Sequence, residues 1–191
     1  NRLQNWKKLN KQILNYKNKN KEKKKILIAT SAGGLRSSLV LESLIGSTLN
    51  FKGCDVEFLL CDGILPTCIM GSIHSIDENE YNKNGSKFLC DSCFEVSNNY
   101  LKKLNLNINK FSNFINDSEI KQIDNLELDK LSFSDIKKYK YKNVSVGEHA
   151  YAGALRYYAK TEISKEKHSK KILNLYLRAA LFTYISIENL F

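Results

Sequence analysis

The chain has no apolar run of about 18 residues, the length that a membrane-spanning helix needs. Its amino end is rich in lysine and asparagine and lacks the apolar stretch of a signal peptide. The G-x-G-x-x-G fingerprint and the Gly-Lys-Ser/Thr of a Walker loop are both missing, and no internal repeat is visible. These absences exclude a membrane span and the two commonest nucleotide loops, and they favour a cytoplasmic protein with reduced thiols.

The net charge of +10 lies almost entirely in the first 25 residues. Residues 1–25 hold ten Lys or Arg and one Glu, whereas the remaining 166 residues hold 20 basic and 19 acidic residues. A nucleic-acid-binding domain usually carries its charge on a folded face with stacking aromatics. The distribution therefore indicates a basic arm on a nearly neutral domain, and we expect no nucleic-acid partner.

The first 24 residues are predicted to form a basic amphipathic helix followed by a linker. The apolar residues recur at helical spacing, at Leu3, Trp6, Leu9, Ile13 and Tyr16. One interpretation places this helix in peripheral contact with an anionic membrane through residues 1–25, at the inner face of the membrane. The alternative is that it packs on the domain or on an absent partner.

Residues 25–191 are predicted to form one α/β domain. An apolar run at 25–30 favours a buried strand, a glycine turn follows, a helix is predicted over 35–49, and a second strand over 55–60. Strand, turn, helix and strand imply a parallel sheet. The residues after these are assigned, in order, to an irregular cysteine segment at 64–94, a helix and short strand within 95–110, short helices over 111–141, and helices at 148–160 and 167–191. Because the chain begins at Asn1 and stops in an apolar run, we expect it to be a piece of a larger polypeptide.

The glycine turn is the first candidate site. Gly33 and Gly34 let the backbone approach a ligand without a Cβ in the way. The helix that follows offers unpaired N–H groups and a positive dipole end, which favour anions. Ser31 can cap that helix, and Arg36 can pair with a phosphate. The alternative is a tight strand-to-helix connection that binds nothing.

Four of the five cysteines form the second candidate site. Cys61 and Cys68 are spaced C-x6-C, and a 21-residue gap separates them from the C-x2-C of Cys90 and Cys93. Four thiolates can close a tetrahedral zinc site, with His74 as a substitute ligand, and an iron–sulfur cluster needs the same residues. The alternative is a set of small, buried, apolar thiols.

A third candidate site lies around residue 148. Glu148 and His149 are predicted at a strand-to-helix turn, where a histidine beside a carboxylate can act as a general base with its orienter. Arg156, further along the helix, can reach a phosphate or carboxylate. Alanines and Gly153 form a smooth helix face that can pack close to a sheet. The alternative is a capped helix with an incidental histidine.

Several segments together resemble bacterial capsule polysaccharide biosynthesis proteins, whose architecture is that of a GT-B-like glycosyltransferase. The resemblance covers roughly residues 25–190 and rests on the runs ILIATSAGG (26–34), LLCDGILPTC (59–68), LCDSCF (89–94), GEH (147–149) and LRY (155–157). It implies a Rossmann-like open parallel sheet flanked by helices, the amino-terminal half of the enzyme. In such enzymes the amino-terminal domain mostly meets the acceptor, and the carboxyl-terminal domain mostly holds the nucleotide sugar. The resemblance therefore implies a partner domain after residue 191.

The resemblance implies that Ser31, Gly33 and Gly34 match the loop at the interdomain cleft. Glu148 and His149 become candidates for acceptor activation, and Asp62, at the end of the second strand, is a further ligand-binding candidate. The chain is then expected to be the acceptor-binding domain of a glycosyltransferase in capsule or surface polysaccharide biosynthesis. It would move a sugar from a nucleotide donor to a glycan or lipid-linked acceptor, and would be inactive in isolation.

Two alternatives remain open. The run Ser31–Ser38 looks a little like the S-G-G-x-D-S loop of the PP-loop ATP pyrophosphatases, which implies an ATP-dependent enzyme. This loop has an extra residue, however, and Arg36 stands where that family has an acidic residue. The other alternative is a non-enzymatic assembly module stapled by zinc through the cysteine cluster.

Overall fold

The described part of the chain is an α/β structure with one parallel sheet. The computed structural model describes residues 24–73 and 77–191, together with positions 5, 8, 11 and 12. Within these residues, three strands form the sheet and eight α-helices accompany it, which confirms the predicted α/β class. The amphipathic helix predicted over 1–24 lies outside the described residues, apart from those four positions and Lys24.

The sheet has the strand order β1-β2-β3, with parallel pairing throughout. The strands are β1 (Lys25–Thr30), β2 (Asp55–Leu60) and β3 (Asn107–Lys110). The first two have the bounds that the sequence predicts, because each is a short apolar run between polar or glycine-rich segments. The central strand β2 is the most buried, and Phe58, Leu59 and Leu60 are completely inaccessible to solvent.

In residues 24–73 and 77–191, eight helices connect and follow the strands. They are α1 (Arg36–Phe51), α2 (Ile69–Ile73), α3 (Glu78–Asn84), α4 (Cys90–Lys103), α5 (Asp117–Asp124), α6 (Phe133–Lys137), α7 (Val146–Tyr158) and α8 (Ser169–Glu188). Short 3-10 turns lie at Lys87–Leu89, Phe111–Phe114 and Leu128–Lys130. No helix of the described residues has both the length and the apolar character needed to cross a bilayer.

The expectation of an irregular segment over 64–94 is wrong, because α2, α3 and the start of α4 all lie there. The Asp77 side chain accepts hydrogen bonds from the N–H groups of Asn79 and Glu80, which begins α3. The helix α4 begins at Cys90, so both residues of the C-x2-C pair lie on its first turn rather than in a loop.

The chain divides into two compact units. The first unit consists of Asn1–Cys61 and Asp91–Lys110, and the second consists of Asp62–Cys90 and Phe111–Phe191. The first unit contains the whole sheet with α1 and nearly all of α4. Its core joins residues of α1, β2, α4 and the turn after α4: Leu39, Val56, Phe58, Leu101, Leu104 and Leu106.

The second unit is organised around the helix pair α7 and α8, which have the most extensive contacts of any two helices. A Cβ at Gly153 would lie 2.4 Å from the Tyr176 ring, so α7 and α8 approach too closely for a larger residue. Ala150 and Ala154 lie buried on α7. The smooth face predicted for this helix therefore exists, but its partner is the helix α8 and not a sheet.

Candidate functional site

The glycine turn connects the end of β1 to the beginning of α1. The strand ends at Thr30, the N–H of Leu35 donates to the carbonyl of Ala32 at 2.9 Å, and α1 begins at Arg36. The Thr30 hydroxyl donates to the Glu42 carboxylate at 2.7 Å, which ties the end of the strand to the second turn of the helix. These bonds fix the turn at the carboxyl end of a parallel strand, where open α/β sheets bind their ligands.

Gly33 is required by the packing of the turn. A Cβ at this position would lie 2.3 Å from the Ser97 hydroxyl oxygen, 2.7 Å from the Ser97 Cβ and 2.9 Å from a methyl carbon of Leu60. Ser97 and Leu60 are both fully buried, so neither has room to move aside. The glycine therefore lets the turn lie directly on α4 and on the end of β2.

Gly34 has a different role, which involves a cysteine. Its N–H donates to Cys93 Sγ at 2.9 Å, and the Ser97 hydroxyl donates to the Cys93 carbonyl at 2.7 Å. One of the predicted metal ligands is thus a hydrogen-bond acceptor for the turn. This contact could not be predicted from the sequence, because it joins segments that are far apart in the chain.

The groups that remain open at the turn favour an anion. The residue before α1 is Leu35, whose apolar side chain provides no cap, and the first helical turn contains no acidic residue. The first N–H groups of a helix have no partner within the helix, and they carry the positive end of its dipole. Ser31, Arg36 and Ser37 are exposed beside them. The turn can therefore offer backbone N–H groups, hydroxyls and a guanidinium to an anionic group.

Asp62 is engaged within the second unit. Its two carboxylate oxygens accept from the N–H of Ser112 at 3.3 Å and from the Ser112 hydroxyl at 2.5 Å. Ser112 lies in the 3-10 turn that follows β3. In this arrangement the carboxylate anchors that turn, and ligand binding by Asp62 stays a prediction.

The cysteines do not form a metal centre in the described residues. None of the five is in a disulfide. Cys61 and Cys93 belong to the first unit, whereas Cys68 and Cys90 belong to the second, where each lies 3.6 Å from an oxygen of Ser86. No group of three or more His, Cys, Asp or Glu residues in the described ranges could hold a metal ion. The four-thiolate site stays a prediction, and His74 lies outside the described residues.

Glu148 and His149 are exposed on the first turn of α7. They follow a loop, since the segment before them forms only an isolated bridge between Tyr141 and Val144. Neighbouring residues on a helix point in different directions, and no hydrogen bond joins these two side chains in the described structure. Glu148 lies in the first turn of the helix, where the positive end of the helix dipole stabilises a carboxylate. Their role as base and orienter stays a prediction.

Arg156 is exposed in the last turn of α7 and acts electrostatically on Tyr176. Burial raises the pKa of the Tyr176 phenol, while hydrogen bonds with Tyr81 and Thr67 and the charge of Arg156 partly offset this effect. The negative end of the helix dipole also stabilises a cation near the carboxyl end of the helix. The charge of Arg156 thus acts on a buried tyrosine of the second unit, and binding of a ligand by Arg156 stays a prediction.

Sequence reasoning did not find the buried hydroxyl cluster formed by Thr67, Tyr81 and Tyr176. Thr67 Oγ1 is in hydrogen-bond contact with the Tyr81 hydroxyl, which donates to the Tyr176 hydroxyl at 3.4 Å. The Tyr81 ring stacks on Tyr157 with 4.4 Å between centroids. A Cβ at Gly71 would lie 2.1 Å from the Tyr81 ring, so α2 packs directly on it. Burial raises the pKa of Tyr81 far above its ordinary value, and this cluster stays protonated and structural.

Replacement of Gly33 by alanine is expected to lower the free energy of unfolding by about 1–3 kcal/mol, because the added Cβ overpacks the turn against Ser97. The S97G change alone should cost about 1 kcal/mol, as glycine does within a helix. If the clash is the cause, G33A/S97G loses less stability than the two single variants together. Urea denaturation gives the free energy of unfolding of the wild type, the two single variants and the double variant. Strictly additive losses would contradict the contact between residue 33 and Ser97.

The Y81F variant is expected to lose about 1–2 kcal/mol of stability, because it removes a buried hydroxyl with two partners. Y100F is the matched control, and it should lose less than about 0.5 kcal/mol. The ordinary tyrosine pKa is 10.0, and the folded state raises it, so the stability given by Tyr81 is complete below pH 10.0 and falls as the pH rises past it. Unfolding measured above pH 10.0 should therefore show a shallower decline in Y81F than in the wild type. Equal slopes would rule out this account.

Comparison with known proteins identifies no relative. No family model, no curated protein and no solved structure matches the chain. The resemblance to capsule polysaccharide biosynthesis proteins therefore stays a hypothesis.

Proposed function

We propose that this chain is the acceptor-side domain of a glycosyltransferase that acts in capsule or surface polysaccharide biosynthesis. The reaction moves a sugar from a nucleotide donor to a glycan or lipid-linked acceptor. The observation that carries the proposal is the uncapped beginning of α1 at the carboxyl end of β1, with Ser31 and Arg36 exposed beside it. The nucleotide sugar would be held mainly by a second domain.

The parallel sheet supports the proposal. The β1–α1–β2 unit has the strand bounds expected from the apolar runs of the sequence, and β2 and β3 are also parallel. Strand ends and helix beginnings are where enzymes of open α/β architecture recognise charged ligands. A lipid-linked acceptor carries its sugar on phosphate, and a phosphate at the beginning of α1 would meet free N–H groups and the Arg36 guanidinium.

The chemical step would need a base that takes the proton from the acceptor hydroxyl. His149, with Glu148 beside it, is the proposed base, since both side chains are exposed at the start of α7. The basic residues of 1–25 would keep the enzyme near anionic lipid, where a lipid-linked acceptor resides. The roles of His149 and of residues 1–25 both depend on the proposal that the chain is part of a glycosyltransferase.

An NMR titration of the chain tests the proposal at the turn. A sugar 1-diphosphate with a short alkyl chain serves as a soluble lipid-linked acceptor, and we expect it to shift the amide signals of residues 34–38. The R36Q variant should weaken this binding at least about tenfold, because it removes a charge-assisted hydrogen bond. K52Q, which removes one charge just beyond the other end of α1, is the matched control and should bind normally.

Three results would contradict the proposal. If ATP with magnesium shifts the same amide signals and binds more tightly than the sugar diphosphate, the chain is better explained as a PP-loop ATP-dependent enzyme. Stoichiometric zinc whose removal unfolds the chain would favour the assembly module. A sugar diphosphate that binds R36Q and the wild type equally would remove the turn from the acceptor site.

A further inference from the structure

A cleft of about 380 Å³ lies within the second unit, and none of the candidate site residues predicted from the sequence lines it. Its walls are the segment after β2, the end of α3 with the turn that follows, and one face of α8. The volume is near the lower end of the range typical of small-molecule sites, about 300–1,000 Å³. A ligand of one ring and a small substituent is of suitable size.

Glycines fix the shape of this cleft. Gly63 has a φ of 94° and Gly85 a φ of 59°, a region that other residues rarely adopt. A Cβ at Gly85 would lie 2.0 Å from the carbonyl oxygen of Pro66, so the end of α3 lies directly against the segment after β2. Both glycines line the cleft, and the contact at Gly85 is made with backbone rather than with a side chain.

One stripe of α8 supplies both apolar surface and a cation. Leu175, Arg178 and Phe182 follow one another at helical spacing and all line the cleft. Leu175 is only half-buried, which leaves apolar surface open to a ligand. Arg178 forms an ion pair with Asp124, and its side chain is 22% exposed. A guanidinium has five N–H donors, so this pairing leaves others for a ligand.

The remaining charge comes from two lysines. Lys83, in the last turn of α3, and Lys87, in the turn after it, are both exposed at the cleft. Neither forms an ion pair with any described residue. Because Asp124 neutralises Arg178, the lining keeps two uncompensated positive charges, a match for a ligand with more than one negative charge.

We propose that this cleft binds an organic phosphate, with the phosphate at Lys83, Lys87 and Arg178 and the organic group against Leu175 and Phe182. A phosphate monoester carries a charge of about −1.5 to −2 at neutral pH and three strong acceptor oxygens, which suits two ammonium groups and a guanidinium. A carboxylate would pair with only some of these three cationic groups. The inference does not depend on the glycosyltransferase proposal, because it concerns other residues.

Calorimetry of the 191-residue chain tests the cleft with phenyl phosphate as the probe. We expect saturable binding at one site, and binding of inorganic phosphate and of phenol at least about tenfold weaker, since each lacks half of the recognised chemistry. The K83Q/K87Q variant should raise the Kd for phenyl phosphate at least about tenfold. K170Q/K171Q removes the same charge from exposed positions at the start of α8 and should leave the Kd unchanged within about twofold. Circular dichroism verifies that each variant is folded.

The R36Q variant separates this cleft from the glycine turn. Normal binding of phenyl phosphate by R36Q is expected, because the site is the cleft and not the turn, whereas loss of binding in R36Q would overturn the inference. The absence of saturable binding by the wild type would also overturn it, as would equal affinity for inorganic phosphate or equal loss in the two double-lysine variants.

Discussion

The close contact between Gly33 and α4 is the constraint on which the candidate site depends. No side chain fits between the turn after β1 and the buried Ser97, and the neighbouring Gly34 N–H is bound by Cys93. These two contacts hold the turn so that α1 begins without a side-chain cap. The charge preference of the site then follows from the helix dipole and the first N–H groups. The anion recognition that we propose at this place would thus be a consequence of packing.

The same constraint gives the cysteine pattern a different meaning. Four clustered cysteines predict a metal site in a reducing compartment, yet the described residues bring no three suitable ligands together. Cys93 instead accepts a hydrogen bond from the turn, and Cys68 and Cys90 lie near Ser86 in the second unit. Sulfur is a weak acceptor that suits a half-buried backbone N–H, so a small thiol at this place needs no metal.

Local patterns predicted the first strand, the turn, the first helix and the second strand, because each depends on residues within a short window. The sequence did not predict the start of α4, because Cys90 and Cys93 were interpreted as metal ligands rather than as helix positions. The start of the preceding helix, α3, does have a clear capping signal in Asp77. The role of Gly33 was half predicted: the sequence shows that a glycine allows close approach, but not that the neighbour is Ser97 of the same unit.

The buried hydroxyl cluster and the cleft could not be predicted at all. Both are assembled from segments that are distant in the chain, and single lysines or tyrosines in a sequence of this composition carry little signal. The central claim, that the chain is one half of a two-domain glycosyltransferase, is tested most directly by the intact mass and sequence of the polypeptide isolated from its own cells. The account predicts a second α/β domain, one that binds the nucleotide sugar, after Phe191. A native polypeptide that ends at Phe191 would contradict it.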